Sequence, residues 1–205
     1  MSTAAPATPA TTTDQKLTVK DLITVGVFSA FYIVVFYATG MLGFIPVFMV
    51  LLALLLPIVG GIPFMLYLTR VRKFGMVTIT SILVTLVMFA GGHSWPMLVI
   101  GPLCGVLADL VFKAGRYASW KHTLLGYWVF SLWVFGPYLP MLMGLESYLK
   151  SIEPMYGAEW TGAVAALMPP WFWLTIPVQA AVGALVGAYL GRATLRKHFE
   201  RAGIA

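Results

Sequence analysis

Residues 44–68, FIPVFMVLLALLLPIVGGIPFMLYL, form a run in which no side chain carries a charge. A helix needs roughly 20 apolar residues to cross a hydrocarbon core about 30 Å thick, so this run is long enough to span a membrane. The whole chain agrees, because 60% of its 205 residues are hydrophobic and only 10% are charged. Soluble domains carry about 25% charged residues. The sequence therefore predicts an integral membrane protein.

Apolar runs of comparable length occur six times along the chain. They cover approximately residues 21–40, 44–68, 74–90, 96–112, 123–145 and 171–191. The second run contains Pro57, Pro63 and the pair Gly60 and Gly61, so we expect it to be kinked or broken. These runs predict the fold class: an all-α membrane protein, built as a bundle of six transmembrane helices within residues 16–205.

Residues 1–15, MSTAAPATPATTTDQ, differ from the rest in being rich in Ala, Thr and Pro. Such a segment has too little apolar area to fold, and we predict a disordered cytoplasmic tail. Thr18 and Asp21 then have the spacing of a capping box at the start of the first helix. Asp109 is the one acid deep in a predicted helix, and Lys113 four residues later favours an ion pair.

Positive charges are distributed very unevenly between the two sides of the predicted bundle. Only Lys150 lies on one side, and the other twelve basic residues lie on the opposite side: Lys16, Lys20, Arg70, Arg72, Lys73, Lys113, Arg116, Lys121, Arg192, Arg196, Lys197 and Arg201. The positive-inside rule makes the basic side cytoplasmic, and six crossings place both termini there. The membrane thus explains the net charge of +6 without a nucleic-acid partner.

The predicted outer side carries three connections, and most candidate ligand contacts lie in them. Met41 and Phe44 belong to the first, and His93 and Trp95 belong to the second, within GGHSWP. A histidine next to glycines suits a ligand or a metal. The alternative is that His93 and Trp95 only anchor a helix end at the membrane interface.

The third outer connection, residues 146–170, alternates aromatic and acidic side chains. Its candidates are Glu146, Tyr156, Glu159 and Trp160. They suit a lid that stacks on a flat ligand, and they equally suit an amphipathic helix on the membrane surface. Within the helices, Tyr138 and Gln179 are two further candidates. Gln179 either faces a cavity or makes an interhelical hydrogen bond, which sequence alone leaves open.

Small residues recur at helical spacing in two predicted helices. The first has Gly26 and Ala30, and the last has Gly183, Gly187 and Gly191. Such stripes allow close helix packing. For the last helix we expect packing inside the bundle, whereas for the first a stripe facing a partner protein is nearly as favoured.

Motifs for catalysis are missing from the sequence. It has no phosphate-binding glycine loop, no Cys and His cluster with zinc spacing and no G-x-S-x-G nucleophile elbow. We therefore expect a chain that is not an enzyme and that does not hydrolyse nucleotide itself.

Several segments resemble a known family. The run KLTVKDLITVGVFSAFYIVVFYATGMLGFIPVFMVLL, the stretches GGIPFMLYLTRVRKFGM and GVLADLVFKAGRY, the segment GGHSWP and the ending LRKHFERAGI are similar to the Trep_Strep, or MptD-like, bacterial membrane proteins. The resemblance implies the substrate-binding S component of an energy-coupling factor (ECF) transporter in the bacterial cell membrane. Such a subunit captures a vitamin or another micronutrient from outside.

The resemblance also implies partners. An S component docks onto a transmembrane coupling protein bound to two ATPase subunits, which use the ATP, so the chain itself needs no cofactor. Gly26 and Ala30 match the docking stripe. The alternatives are a stand-alone secondary transporter of a small organic solute and a membrane enzyme. The aromatic outer segments suit a ring-bearing ligand, and His93 with Met41 would permit a metal-bearing one such as a tetrapyrrole.

Overall fold

Helices dominate the computed structural model, which describes residues 16–201 and, for side chains, residues 16–197. In that range the α-helices are α1 (Val19–Gly40), α2 (Pro46–Leu68), α3 (Met76–Ala90), α4 (Met97–Ala114), α5 (Trp120–Ser131), α6 (Phe135–Met143), α7 (Leu145–Tyr156), α8 (Ala158–Leu167) and α9 (Thr175–Arg201). Short 3₁₀ helices lie at Met41–Phe44, Leu132–Val134 and Phe172–Leu174. The described part contains no strand, which confirms the all-α class. The tail predicted at residues 1–15 lies outside the described residues.

Five helical stretches are long and apolar enough to cross a membrane: Val19–Phe44, Pro46–Leu68, Met97–Ala114, Trp120–Met143 and Phe172–Lys197. The remaining predicted span is α3, which is apolar but has only 15 residues. At 1.5 Å per residue it is about 22 Å long, shorter than a hydrocarbon core of about 30 Å. The bundle thus fits a membrane protein in which α3 is a short member.

The long helices form a closed ring around an aromatic centre. Going around the ring, the order is α1, α2, α9, α5, α4 and α3, and α3 packs on α1 again. Phe64 of α2 points into this ring, and its centroid lies 4.7 Å from that of Tyr127 and 4.5 Å from that of Phe130. Tyr32 and Phe112 pack around the same phenyl group. Aromatic side chains therefore fill the interior at the level of Phe64.

The second helix was predicted to be kinked or broken, and it is not broken: α2 is continuous although Pro57 and Pro63 lie inside it. Proline removes one backbone donor, and a neighbouring helix in a membrane can satisfy the polar groups that this leaves. The carbonyl oxygens that lose their helical donor are those of Ala53 and Val59, four residues before each proline. The Pro57 carbonyl oxygen, one turn after Ala53, also accepts a lateral hydrogen bond from the Tyr127 hydroxyl at 2.6 Å. Lateral contacts of this kind stabilise a helix that its own sequence would weaken.

In contrast to the second predicted run, the fifth does not form one continuous α-helix. A 3₁₀ turn at Leu132–Val134 separates α5 from α6. Pro137 lacks the N–H that would bond to the carbonyl oxygen of Trp133 in a regular α-helix, so the chain tightens just before it. The run also ends at Met143, since Gly144 adopts an extended conformation before α7 begins.

Asp109 caps another helix and is not paired with Lys113, so the predicted ion pair is wrong. One oxygen of this fully buried carboxylate accepts hydrogen bonds from the N–H groups of Gly75 and Thr78 and from the Thr78 hydroxyl, at 2.6–3.0 Å. These donors lie at the N-terminus of α3, where the helix dipole favours negative charge. The Lys113 ammonium lies 5.6 Å from the centre of the Phe74 ring instead.

The capping box at Thr18 and Asp21 is confirmed. The Asp21 carboxylate accepts from the Thr18 N–H at 2.8 Å, and the Asp21 N–H donates to the Thr18 hydroxyl at 3.3 Å. The same carboxylate forms an ion pair of 2.9 Å with Lys73, which precedes α3. The start of α1 is therefore fixed both locally and to the α2–α3 connection.

Candidate ligand-binding site at the lid end

Helices α7 and α8, which together we call the lid, connect the fifth and sixth predicted spans. The lid end of the bundle is the end that carries this lid and the connections at residues 41–44 and 91–95. Along α7, Leu149 is buried, and Ile152 and Tyr156 pack against the core from the same face. This spacing of three and four residues matches one helix face. Gly157, with φ +87°, makes the sharp corner between the two helices.

An aromatic cluster fixes the lid to the α1–α2 connection. The Tyr156 and Trp160 rings stack with centroids 4.4 Å apart, and the Phe44 ring lies 5.7 Å from that of Tyr156. The indole N–H of Trp160 donates to the Gly43 carbonyl oxygen at 3.3 Å. Three of the predicted site residues therefore meet in one place, although Phe44 lies more than 100 residues before Tyr156 and Trp160 in the sequence.

The start of α2 forms the floor beneath this cluster. A Cβ built on Gly43 would lie 3.5 Å from the sulfur of Met49, so the α1–α2 connection sits directly on α2. Tyr138 is almost fully buried, and its hydroxyl donates to the Met49 carbonyl oxygen. The Tyr138 ring in turn lies 6.1 Å from that of Phe172, just before α9. Tyr138 thus connects the floor to the last helix.

A chain of hydrogen bonds continues from Phe172 along α9. The Thr175 hydroxyl donates to the Phe172 carbonyl oxygen at 2.7 Å, and the side-chain NH₂ of Gln179 donates to the Thr175 oxygen at 3.0 Å. The other amide atom of Gln179, Oε1, is buried and has no hydrogen-bond partner. A buried acceptor without a donor costs roughly 1–3 kcal/mol. Gln179 therefore carries a buried acceptor that no donor of the described structure satisfies.

The second predicted connection lies apart from this cluster. The imidazole Nδ1 of His93 is 3.1 Å from the Met88 carbonyl oxygen, at the end of α3. The next side chain, Ser94, reaches the Gly136 carbonyl oxygen at 3.5 Å. Trp95 is 67% exposed. This geometry favours the anchoring interpretation of His93 and Trp95, and in the described structure no hydrogen bond or ring contact joins either residue to Tyr156 or Trp160.

The remaining outer candidates are exposed. Met41, Glu146 and Glu159 all face away from the packed core. A shallow groove of about 350 Å³ lies between α7 and α8 and is lined by Lys150, Glu153, Pro154 and Ala158. A second groove of about 320 Å³ lies at the α6–α7 corner, beside Ser147 and Tyr148. Both grooves are open to the surface, unlike the clefts and cavities that enclose most of a bound small molecule.

Burial raises the pKa of Tyr148, which lines the second groove, and the neighbouring Tyr156 adds to this increase. Tyr148 therefore keeps its proton at neutral pH and serves as a neutral hydrogen-bonding group. Among the described residues, no group of three or more His, Cys, Asp or Glu side chains is placed to hold a metal ion. The metal-bearing ligand suggested by His93 and Met41 stays a prediction.

Several residues of this site were not predicted from sequence. Gly43 and Met49 take part through backbone carbonyl groups, which every residue carries and which no motif reveals. Phe172 lies in the apolar segment WFWL, where nothing distinguishes it from its neighbours. The sequence feature that did point to this site was the high aromatic content of the segment that contains Tyr156 and Trp160.

Comparison with known proteins gives one match. Residues 19–201 match the family described as hypothetical bacterial integral membrane protein (Trep_Strep). Comparisons with curated proteins and with solved structures gave no match. Because the matched region covers α1 through α9, the chain belongs to the Trep_Strep family of bacterial integral membrane proteins.

Proposed function

We propose that the chain is the substrate-binding S component of an ECF-type importer, with no ATPase activity of its own. In this role it captures a vitamin or another micronutrient at the lid end. It then docks onto a transmembrane coupling protein with two ATPase subunits, which supply the energy. Membership of a bacterial integral membrane family is consistent with this role.

The observation that carries the proposal is the seating of the lid on α2. Trp160 and Tyr156 close over the Met41–Phe44 connection, and the indole N–H of Trp160 donates a hydrogen bond to the Gly43 carbonyl oxygen. Opening the lid would release a donor and an acceptor together with a stacking surface. A ligand that replaces these contacts can hold the lid closed above itself.

The packing of the bundle favours a one-ended binding site over a stand-alone secondary transporter. Secondary transporters bind substrate near mid-membrane, between helices that are often discontinuous. In this bundle the interior around Phe64 is filled with aromatic rings from α2 and α5. Because the interior is filled, a ligand would bind at one end of the bundle. Its delivery to the other side of the membrane would then depend on a partner protein.

A docking surface for that partner is available on α1. Gly26 and Ala30 are both exposed, and a Cβ built on Gly26 meets no atom within 4 Å. Val27 and Val34 on the same helix are more than 60% exposed. The resulting smooth apolar surface suits close approach by a transmembrane helix of the coupling protein.

The side chains at the lid end indicate the class of substrate. Stacked aromatic rings favour a flat, ring-bearing molecule. The unpaired Oε1 of Gln179 favours a hydrogen-bond donor on that molecule. Exposed Glu146, Glu153 and Glu159 make the lid acidic, so a strongly anionic substrate is disfavoured.

The test is to purify the chain from cells grown in rich medium and to identify retained small molecules by mass spectrometry. The retained compound is then offered to proteoliposomes that contain the chain alone or the chain with a coupling protein and ATPase subunits. We expect uptake only in the second case and only with ATP. Uptake by the chain alone would establish the stand-alone transporter instead.

A Trp160→Phe variant tests the lid itself. Phenylalanine keeps the ring but removes the N–H that reaches Gly43, a bond worth about 1 kcal/mol. We expect the retained compound to dissociate about fivefold faster. Trp171→Phe is the matched control, since Trp171 is 60% exposed near the same end. Equal dissociation rates for wild type and Trp160→Phe would contradict the lid.

A further inference from the structure

The basic end of the bundle, opposite the lid, carries a cation held against an aromatic surface. The guanidinium of Arg192 lies 4.5 Å from the centre of the Trp120 ring. The Tyr189 ring, one turn earlier on α9, meets the same indole edge-on at 5.5 Å. Trp120 is the first residue of α5. Two helices therefore combine to fix one arginine at the surface.

Arg192 has no acidic partner among the described side chains. The acids described near that end are Asp21, which pairs with Lys73, and Asp109, which is buried and caps α3. The three other described acids are glutamates of the lid. Stacking uses the face of the guanidinium and leaves its N–H edge available. That edge has the planar geometry that binds a phosphate through two parallel hydrogen bonds.

The surface beside Arg192 changes from aromatic to aliphatic along α9. Tyr189 is 53% exposed, and Val182, Leu185 and Val186, which precede it, are also exposed. Tyrosine and tryptophan prefer the headgroup level of a bilayer, and exposed aliphatic residues suit its hydrocarbon. A phosphate bound at Arg192 would thus lie directly above a surface fit for an acyl chain.

From these contacts we propose that Arg192, Trp120 and Tyr189 form a binding site for the phosphodiester headgroup of an anionic phospholipid. The acyl chain lies along the exposed face of α9. Free phosphate would use only the guanidinium, whereas a lipid also uses the aliphatic surface, so the lipid is the better occupant. The site is independent of the proposed transport role and of the lid.

Native mass spectrometry of the purified full-length chain tests this site. The probes are phosphatidylglycerol and phosphatidylcholine with identical acyl chains, and the readout is the apparent Kd of the first bound lipid. The Arg192→Gln change removes the guanidinium–phosphate hydrogen bonds, which an equal loss of charge elsewhere does not remove, so about a fivefold change in Kd is expected. We expect wild type to prefer phosphatidylglycerol, and Arg192→Gln to weaken its binding about fivefold.

The matched control is Arg72→Gln. Arg72 is exposed on the basic α2–α3 connection, so its loss changes the net charge equally without touching Trp120. We expect less than a twofold change for this variant and an intermediate loss for Arg192→Lys, which keeps charge but loses the planar fork. Equal losses for Arg192→Gln and Arg72→Gln, or no headgroup preference in wild type, would overturn the site.

A competition experiment separates the lipid from a soluble anion. Millimolar inorganic phosphate is added to the phosphatidylglycerol complex, and we expect the lipid to remain bound. Displacement by phosphate alone would overturn the lipid assignment. Because Arg192 is exposed, all variants should fold, and matching elution profiles and melting temperatures would verify this.

Discussion

Two stripes of small residues, one on α9 and one on α1, look alike in sequence and differ completely in their surroundings. On α9, a Cβ at Gly183 or Gly187 would overlap carbonyl oxygens of α2, and a Cβ at Gly191 would lie 2.6 Å from the Gly61 carbonyl oxygen. On α1, a Cβ at Gly26 would meet nothing within 4 Å. The first stripe is used inside the bundle, as predicted, and the second is left exposed.

The difference teaches that spacing alone does not assign a stripe to internal packing or to a partner. The α9 glycines face α2, which forms with α9 the most extensive helix pair of the described structure. The same holds on the α2 side, where a Cβ on Gly61 would overlap the backbone of Gly187. The α1 stripe is free because α1 contacts α2 and α3 through another face that includes Val25, Tyr32 and Phe36.

The largest expected effect is that of Gly187→Ala. The added methyl group would overlap the Pro57 carbonyl oxygen, so the backbones of α2 and α9 must separate. Overpacking of this kind costs up to about 3 kcal/mol and occasionally more, which outweighs the gain of about 1 kcal/mol in helix propensity. We expect a large drop in melting temperature in detergent. A melting temperature equal to that of wild type would disprove the close α2–α9 contact.

A moderate loss of stability is expected for Tyr127→Phe. Tyr127 lies on α5 and contacts α2 at Pro57, the residue that also faces Gly187 of α9. The lost hydroxyl donates to the Pro57 carbonyl oxygen at 2.6 Å, and one such bond is worth about 0.5–1.5 kcal/mol. We expect a smaller drop in melting temperature than for Gly187→Ala. Ser131→Ala is a suitable comparison, since its hydroxyl bonds within α5 to the Tyr127 carbonyl oxygen. If Ser131→Ala lowered the melting temperature more than Tyr127→Phe, the hydrogen bond between Tyr127 and Pro57 would contribute little to stability.

No loss of stability is expected for Gly26→Leu, because a Cβ added there meets no atom within 4 Å and the gain in helix propensity is up to about 1 kcal/mol. If α1 docks onto the coupling protein as proposed, the same change should weaken co-purification with that protein at least tenfold. Gly162→Leu is the matched control, because Gly162 on α8 is equally open. Unaltered complex formation by Gly26→Leu would exclude the α1 stripe as the docking surface.

The candidate site was predictable only in part. The aromatic segment after residue 145 identified Tyr156 and Trp160, since large rings in an otherwise polar connection need a reason. Their meeting with Phe44 was not predictable, because it depends on the lid folding back onto α2. His93 drew attention as a rare residue type, yet its ring nitrogen lies beside the carbonyl oxygen of Met88, near the end of the preceding helix α3.

The sequence by itself determined the membrane class and the number of apolar runs, because hydrocarbon thickness sets a length that can be counted. It also determined the start of α1, since the capping box between Thr18 and Asp21 is local. Only the tertiary structure decided the role of Asp109, which binds the N-terminus of α3 and not Lys113. It alone also separated the buried stripe of α9 from the exposed stripe of α1. The physical reason is the same in both cases: periodicity fixes which residues share a helix face, whereas the neighbour that covers that face is set by packing between distant segments.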